Sequence, residues 1–135
     1  MSEPSFEDSF RRLLGGRPDM AVTLGLAPVR GDDHEVVLSM EWRPELAQPT
    51  GVFSAASLFG LADIAGTFLA MRYVREGFPL AITSSVHLLG NTRSGTALAT
   101  ARLIKAGRTV IRTDTMVTAG DVDLASVQTT YLNPS

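Results

Sequence analysis

The sequence predicts an α+β domain in which one long apolar helix is covered by the concave face of a curved antiparallel sheet of five to six strands, with a short N-terminal helix in addition. Three observations predict it. A run from Val52 to Met71 carries Asp63 as its only charge. Only strand-like segments follow that run, joined by short turns that contain glycine. The apolar helix and the strands each need a partner to cover one face, and a helix layer on a sheet supplies it.

The elements follow in order. Phe6, Phe10, Leu13 and Leu14 recur at helical spacing within Ser5–Leu14, and Gly15-Gly16 ends the pattern. Pro18 opens a loop, Met20–Leu26 reads as extended, and Pro28 to Asp33 reads as a connection rich in turn residues. Glu35–Trp42 (EVVLSMEW) alternates in part and is rich in valine, so a strand is expected; Arg43-Pro44 ends it. Glu45–Gly51 holds Pro49 and Gly51 and reads as a loop. The long helix is expected from about Val52 to Tyr73, capped by Thr50 or Ser54 and finished by Gly77 and Pro79. Ala81–Leu89, Ala97–Lys105, Thr109–Thr118 and Asp123–Leu132 are the strands after it, the last three forming a meander.

Composition excludes several functions. The 135 residues contain no cysteine and two histidines, His34 and His87, with no HExxH pattern. Thiol nucleophiles, disulfides and cysteine metal sites are therefore absent, and a zinc site is not expected. Absence of cysteine fits a reducing cytoplasm. Twelve basic residues against fourteen acidic ones, with no basic block, give no footprint for nucleic acid. Met1–Gly16 carries Glu3, Glu7 and Asp8 and does not read as a signal peptide. The long apolar run approaches the length of a membrane span, but its many small residues and central carboxylate favour a buried core helix. A single domain over residues 1–135 is expected, with 1–19 as N-terminal helix and loop.

Asp63 is the informative residue. Inside LFGLADIAGTFLA a carboxylate is kept at a cost, and such groups cluster at functional sites. The alternative is a place on an exposed stripe of the helix. Thr67, at i+4, stands on the same face, and its hydroxyl could bond the carboxylate, a water beside it, or the helix backbone. Gln48, in the preceding loop, could polarise a carbonyl or orient a water, or lie solvated. Free N–H groups at the helix start, near Ser54, Ala55 and Ala56, suit developing negative charge, although small residues there also serve close packing. His87 reads as structural, and His34, beside Asp32 and Asp33, as solvated. Ser84 and Ser85 lack a GxSxG context. Lys105 and Arg108 flank a hairpin turn that could bind phosphate or simply face water.

The stretch RPELAQPTGVFSAASLFGLADIAGTFLA, followed by LLGNTRSGTALATARLIKAGRTVIRTDTMV, resembles the hotdog-fold thioesterases. It is most similar to the phenylacetate-pathway (PaaI-like) acyl-CoA thioesterases, over roughly Met20 to Leu132. Leu61-Ala62-Asp63 matches that group's helix motif, while its His-Gly-Gly turn is Ser54-Ala55-Ala56 here. The resemblance implies that Asp63 acts as general base or nucleophile, that Gln48 orients water or the thioester carbonyl, and that the Ala55 N–H polarises that carbonyl. It makes Thr67 a hydroxyl one turn beyond the carboxylate and Gly51 a loop glycine at the substrate, with Ser54 and Ala56 beside it. Lys105, Gly107 and Arg108 match a hairpin that touches coenzyme A in some members. It further implies a homodimer at least, and a homotetramer, with the site at a subunit interface, acyl-CoA as substrate and no metal or cofactor. The altered turn leaves a second reading: a non-catalytic hotdog domain that binds acyl-CoA or serves a structural or regulatory role. A hotdog dehydratase would need a histidine at the helix turn, and His87 is not there.

Overall fold

The computed structural model describes residues 5–14 and 19–135. Helix α1 (Phe6–Leu14) and the short α2 (Met20–Leu24) precede strands β1 (Ala27–Gly31) and β2 (Glu35–Glu41). The long helix α3 (Ala55–Ala70) is followed by β3 (Leu80–Leu88), β4 (Thr96–Ala106), β5 (Val110–Ala119) and β6 (Val122–Leu132). The strands form one six-stranded sheet in the order β1-β2-β4-β5-β6-β3, antiparallel at each pairing. The connection from β2 through α3 to β3 thus crosses the sheet, and α3 lies along its inner face.

Side-chain alternation explains the layering. On β5, Ile111, Thr113, Thr115 and Val117 are buried while Arg112, Asp114 and Met116 are exposed. On β4 the inner positions Ala97, Ala99 and Ala101 are fully buried and small, which lets the helix approach the sheet closely. From α3, Leu58, Leu61, Ala62, Ala65, Phe68 and Leu69 fill the core. Burial of each large aliphatic side chain contributes about 1.5–3 kcal/mol. The stretch Ala55–Tyr73 is apolar and long enough to span a membrane, but half of it is buried within the fold, and packing on the sheet accounts for that composition.

The structure corrects three boundaries and two elements. Met20–Leu26, expected to be extended, contains α2: the Asp19 carboxylate accepts the Val22 N–H at 3.1 Å, and Gly25 closes the turn at φ 69°. Pro28 to Asp33, expected to be a connection, contains most of β1, an edge strand whose outer side needs no ladder partner for Pro28. The long helix starts at Ala55 rather than Val52, because Ala47 and Phe53 bridge to close the preceding loop. Its last residues, Met71–Tyr73, wind as a 3₁₀ turn. The expected loop over Glu45–Gly51 begins inside a 3₁₀ turn, Pro44–Leu46. The Gly15-Gly16 stop and the Pro18 loop lie outside the described residues.

Of the two expected caps, Ser54 holds the helix: its Oγ accepts the Ser57 N–H at 3.0 Å. Ser54→Ala is expected to lower stability by about 1 kcal/mol; a urea titration checks this, and an unchanged midpoint would contradict the capping role.

The edge strand β3 is unlike the others. Ser84, Val86 and Leu88 stand opposite Thr129, Val127 and Ala125, inner residues of β6, so they share the helix-facing side. Yet Val86 and Leu88 remain 40% and 56% exposed. Leu80, Ile82 and Leu89 are exposed as well. The far edge of the sheet therefore presents several large apolar side chains that the described residues leave uncovered.

Candidate functional site

The loop before α3 is built to hold its shape. Gln48 N donates to Val52 O at 2.9 Å and Gly51 N to Gln48 O at 2.8 Å. Gly51 sits at φ 91°, a region that favours glycine, and its carbonyl accepts Trp42 Nε1–H at 3.0 Å. From the β3–β4 connection, Asn91 Nδ2 donates to Phe53 O at 3.0 Å and Arg93 Nε to Thr50 O at 3.1 Å. The Gln48 Oε1 accepts the Thr50 N–H at 2.6 Å, so what this side chain can offer outward is its NH₂ group.

The helix start follows directly. Ser54 Oγ takes the N–H of Ser57, and Ser57 Oγ bonds Leu46 O at 2.9 Å. The first two helical N–H groups, on Ala55 and Ala56, are among the four that an α-helix leaves without intrahelical partners. Both residues are exposed. The hydroxyl of Ser54 is committed to the cap, so the donors available to a ligand here are backbone N–H groups at the positive end of the helix dipole.

Asp63 stands on the half-buried stripe of α3, with Phe59, Gly60, Ile64 and Thr67. Ala56, Gly60, Asp63 and Thr67 follow i, i+4, i+7, i+11 spacing and so run along one helical face. Among the described residues the Asp63 carboxylate makes no ion pair. Burial pushes its pKa up from 3.8, and no cation among the described residues draws it back. A carboxylate of this kind keeps basicity that a solvated or salt-bridged aspartate lacks. At 1.5 Å per residue, Asp63 lies about 12 Å along the axis from Ala55.

Thr67 does not reach the carboxylate. Its Oγ1 donates to Tyr131 Oη at 3.2 Å, and Tyr131 Oη donates to the backbone carbonyl of Asp63 at 3.4 Å. Tyr131 is fully buried at the base of this contact. Burial pushes its phenol up to about 12; the Thr67 hydroxyl opposes the shift, the nearby Asp63 charge adds to it, and the Thr113 and Thr129 hydroxyls oppose it. Thr113 Oγ1 is buried without a hydrogen bond of normal geometry. Helix and sheet meet closely here: a Cβ at Gly66 would stand 2.7 Å from Tyr131 Oη and 2.9 Å from Thr113 Oγ1.

The hairpin lies elsewhere. Gly107 and Arg108 line a cleft of about 790 Å³ with Tyr73, Arg75 and Asn133, while Lys105 is exposed on β4 just before it. Tyr73 follows the C-terminal end of α3, so this cleft sits at the opposite end of the helix from Ala55. Within one chain, Gln48, Gly51 and Ser54–Ala56 come together, Asp63 and Thr67 follow on the same helix, and Lys105, Gly107 and Arg108 stand apart. His87 is exposed on β3, with no hydrogen bond from its ring among the described residues; it is not the satisfied structural histidine that was expected. His34 is exposed, as expected, in a turn whose N–H groups bond Asp32. Tyr131 and Asn91 are not distinguished by sequence, since one reads as a strand aromatic and the other as a turn residue.

A helix packed along the inner face of a curved antiparallel sheet, with a carboxylate on its half-buried face, defines a hotdog domain. A profile of the thioesterase superfamily matches residues 50–126, from the loop through α3 and most of the sheet. The chain belongs to the thioesterase superfamily. Solved structures share the whole fold. A thioesterase of Haemophilus influenzae is 17% identical with a TM-score of 0.87, covering 96% of this chain and 91% of its own. A thioesterase family protein of Silicibacter pomeroyi is 23% identical with a TM-score of 0.82, over 90% and 93%. A phenylacetic acid degradation-related protein of Ralstonia eutropha is 20% identical with a TM-score of 0.80, over 91% and 98%. No curated protein matches the chain.

Proposed function

We propose that the protein hydrolyses acyl-CoA thioesters with Asp63 as general base or nucleophile. The observation that carries this reading is the half-buried Asp63 carboxylate, without an ion pair among the described residues, on a helical face that begins at the N–H groups of Ala55 and Ala56. As a base, Asp63 takes a proton from water as the water oxygen bonds the thioester carbon. The C–S bond then breaks, and the proton passes to the departing thiolate, giving the carboxylic acid and the CoA thiol. Backbone N–H groups near Ala55 stabilise the oxyanion, and one such donor is typically worth about 3 kcal/mol. The Gln48 NH₂ orients the water or the carbonyl. No metal or redox cofactor enters this scheme.

The working unit is a homo-oligomer, a dimer at least, built on β3. A second copy would cover Val86 and Leu88 and pair the free strand edge, removing an apolar surface that otherwise invites association. The carboxylate of one chain and the N–H donors of another can then meet on one thioester.

The hairpin cleft is the proposed contact for the CoA phosphates, supported by Arg75 and Arg108 on its wall and Lys105 beside it. Arg108→Ala is expected to raise KM for an acyl-CoA about tenfold, as loss of a charge-assisted hydrogen bond does, and to leave KM unchanged for the same acyl group on N-acetylcysteamine. Steady-state kinetics on the two substrates check this; equal effects on both would remove the cleft from CoA binding.

Thiol release from a panel of acyl-CoAs, with wild type and Asp63→Ala, tests the reaction itself. Equal rates would remove Asp63 as the catalyst. The alanine methyls at the helix start favour a second reading, a non-catalytic domain that binds CoA esters. Calorimetric binding with no turnover across the panel would support that reading instead.

A further inference from the structure

The Tyr131 phenol is fully buried, reaches across from β6 to α3, and contacts that helix at the turn that begins with Asp63 and ends with Thr67. It accepts from one end of this turn, the Thr67 hydroxyl at 3.2 Å, and donates to the other, the Asp63 carbonyl at 3.4 Å. In an α-helix the Asp63 carbonyl also receives the Thr67 N–H, so the phenol and the helix ladder converge on one oxygen. Gly66 lies between, and its missing side chain is what lets the phenol approach; a Cβ there would collide with Tyr131 Oη and Thr113 Oγ1. Around the phenol stand hydroxyls from three elements: Thr67 of α3, Thr113 of β5 and Thr129 of β6. Thr129 Oγ1 in turn lies 2.9 Å from Ser84 Oγ on β3, which carries the hydroxyl cluster to the sheet edge. Asp63 and Tyr131 are the ionisable groups at this contact, Tyr131 fully buried and Asp63 half-buried.

We propose that Tyr131 is a positioning residue for Asp63: by bridging the Thr67 hydroxyl and the Asp63 carbonyl, its phenol fixes the helical turn that aims the Asp63 carboxylate. The phenol does not touch substrate, since it is closed off from solvent beneath the helix. Its effect on catalysis rests on the proposed thioester hydrolysis, while its effect on the Asp63 turn does not. A loosened turn displaces the carboxylate and admits water to it. Small displacements of a reacting group are costly to rate without being costly to binding.

The test compares wild type, Tyr131→Phe, Thr67→Val and the double variant by two readouts. In acyl-CoA hydrolysis, Tyr131→Phe is expected to lower kcat about tenfold with KM within about twofold. Thr67→Val is expected to reproduce the loss, and the double variant to add little, because both changes break one hydrogen-bonded unit. In a carbon-13 NMR titration of the Asp63 carboxyl, both single variants are expected to shift it toward the ordinary carboxylate range. Thr67 is half-exposed, so its variant decides the matter should Tyr131→Phe fail to fold. An unchanged titration in a folded variant overturns the proposal, as does an unchanged kcat in an active enzyme. Wild-type protein without turnover would instead refute the thioesterase reading, and the titration alone would then decide the role of Tyr131.

Discussion

Asp63→Asn is expected to cut thioester turnover by about 10²–10⁴-fold, the usual contribution of a positioned acid–base group, and at the same time to make the fold more resistant to urea at neutral pH. The second effect follows from the cost of burying the carboxylate. Burial raises the folded-state pKa of Asp63 above 3.8, so between the two values the native chain holds a proton that the unfolded chain has released. Stability therefore falls as pH rises through the folded pKa and is restored below the unfolded one. Asparagine has nearly the same shape and pays no ionisation penalty. Its stabilising effect is greatest at neutral pH and shrinks as pH falls toward the ordinary carboxylate range. The acid limb of kcat/KM in the wild type should lie above that range for the same reason. Urea midpoints at several pH values, together with kcat, check both parts. A variant that is slower but no more stable would show that the carboxylate is already well solvated; one that is equally fast would remove it from the chemistry.

Placing lysine at both Val86 and Leu88 is expected to convert the assembly to monomers and lower activity by at least about 10²-fold, while each chain stays folded. Association through β3 would bury these side chains, and an unpaired ammonium is costly to bury. Within one chain the same positions are exposed, so the charges meet water and cost little. The expected dependence of activity on assembly rests on the layout of the helix. Ala55 and Asp63 are about 12 Å apart along α3, and the basic hairpin stands at the far end of that helix. Sedimentation, circular dichroism and rate measurements on one preparation separate the outcomes. Monomers that retain full activity would place the whole site within a single chain. A variant that still associates would move the interface away from β3.

The sequence made the long helix and the meander legible because each is long and its pattern is unbroken. Val52 to Met71 has a single charge, and β4 to β6 are divided by glycine turns at Gly107 and Gly120. The helix α2 was concealed by its length of one turn, although Asp19 and Gly25 are the residues that cap it. The strand β1 was concealed by Pro28, which is tolerated because the strand lies at an edge. Asp63 was visible as a charge in an apolar run. Tyr131 was not, because what distinguishes it is contact with hydroxyls on α3 and β5 rather than anything in its own segment. Thr113, Thr115 and Thr129 carry a faint signal, as polar residues at the inward positions of alternating strands. The separation of the hairpin from the helix start depends on how the chain crosses the sheet, which local pattern does not encode.

A crystal structure with a non-hydrolysable CoA ester analogue tests the proposed chemistry most directly. The carbonyl carbon is expected within reach of an Asp63 carboxylate, its oxygen accepting the N–H of Ala55 or Ala56. The nucleotide phosphates are expected in a cleft formed by Arg75 and Arg108. A carbonyl bound away from Asp63, with the carboxylate facing only solvent, would contradict the proposal.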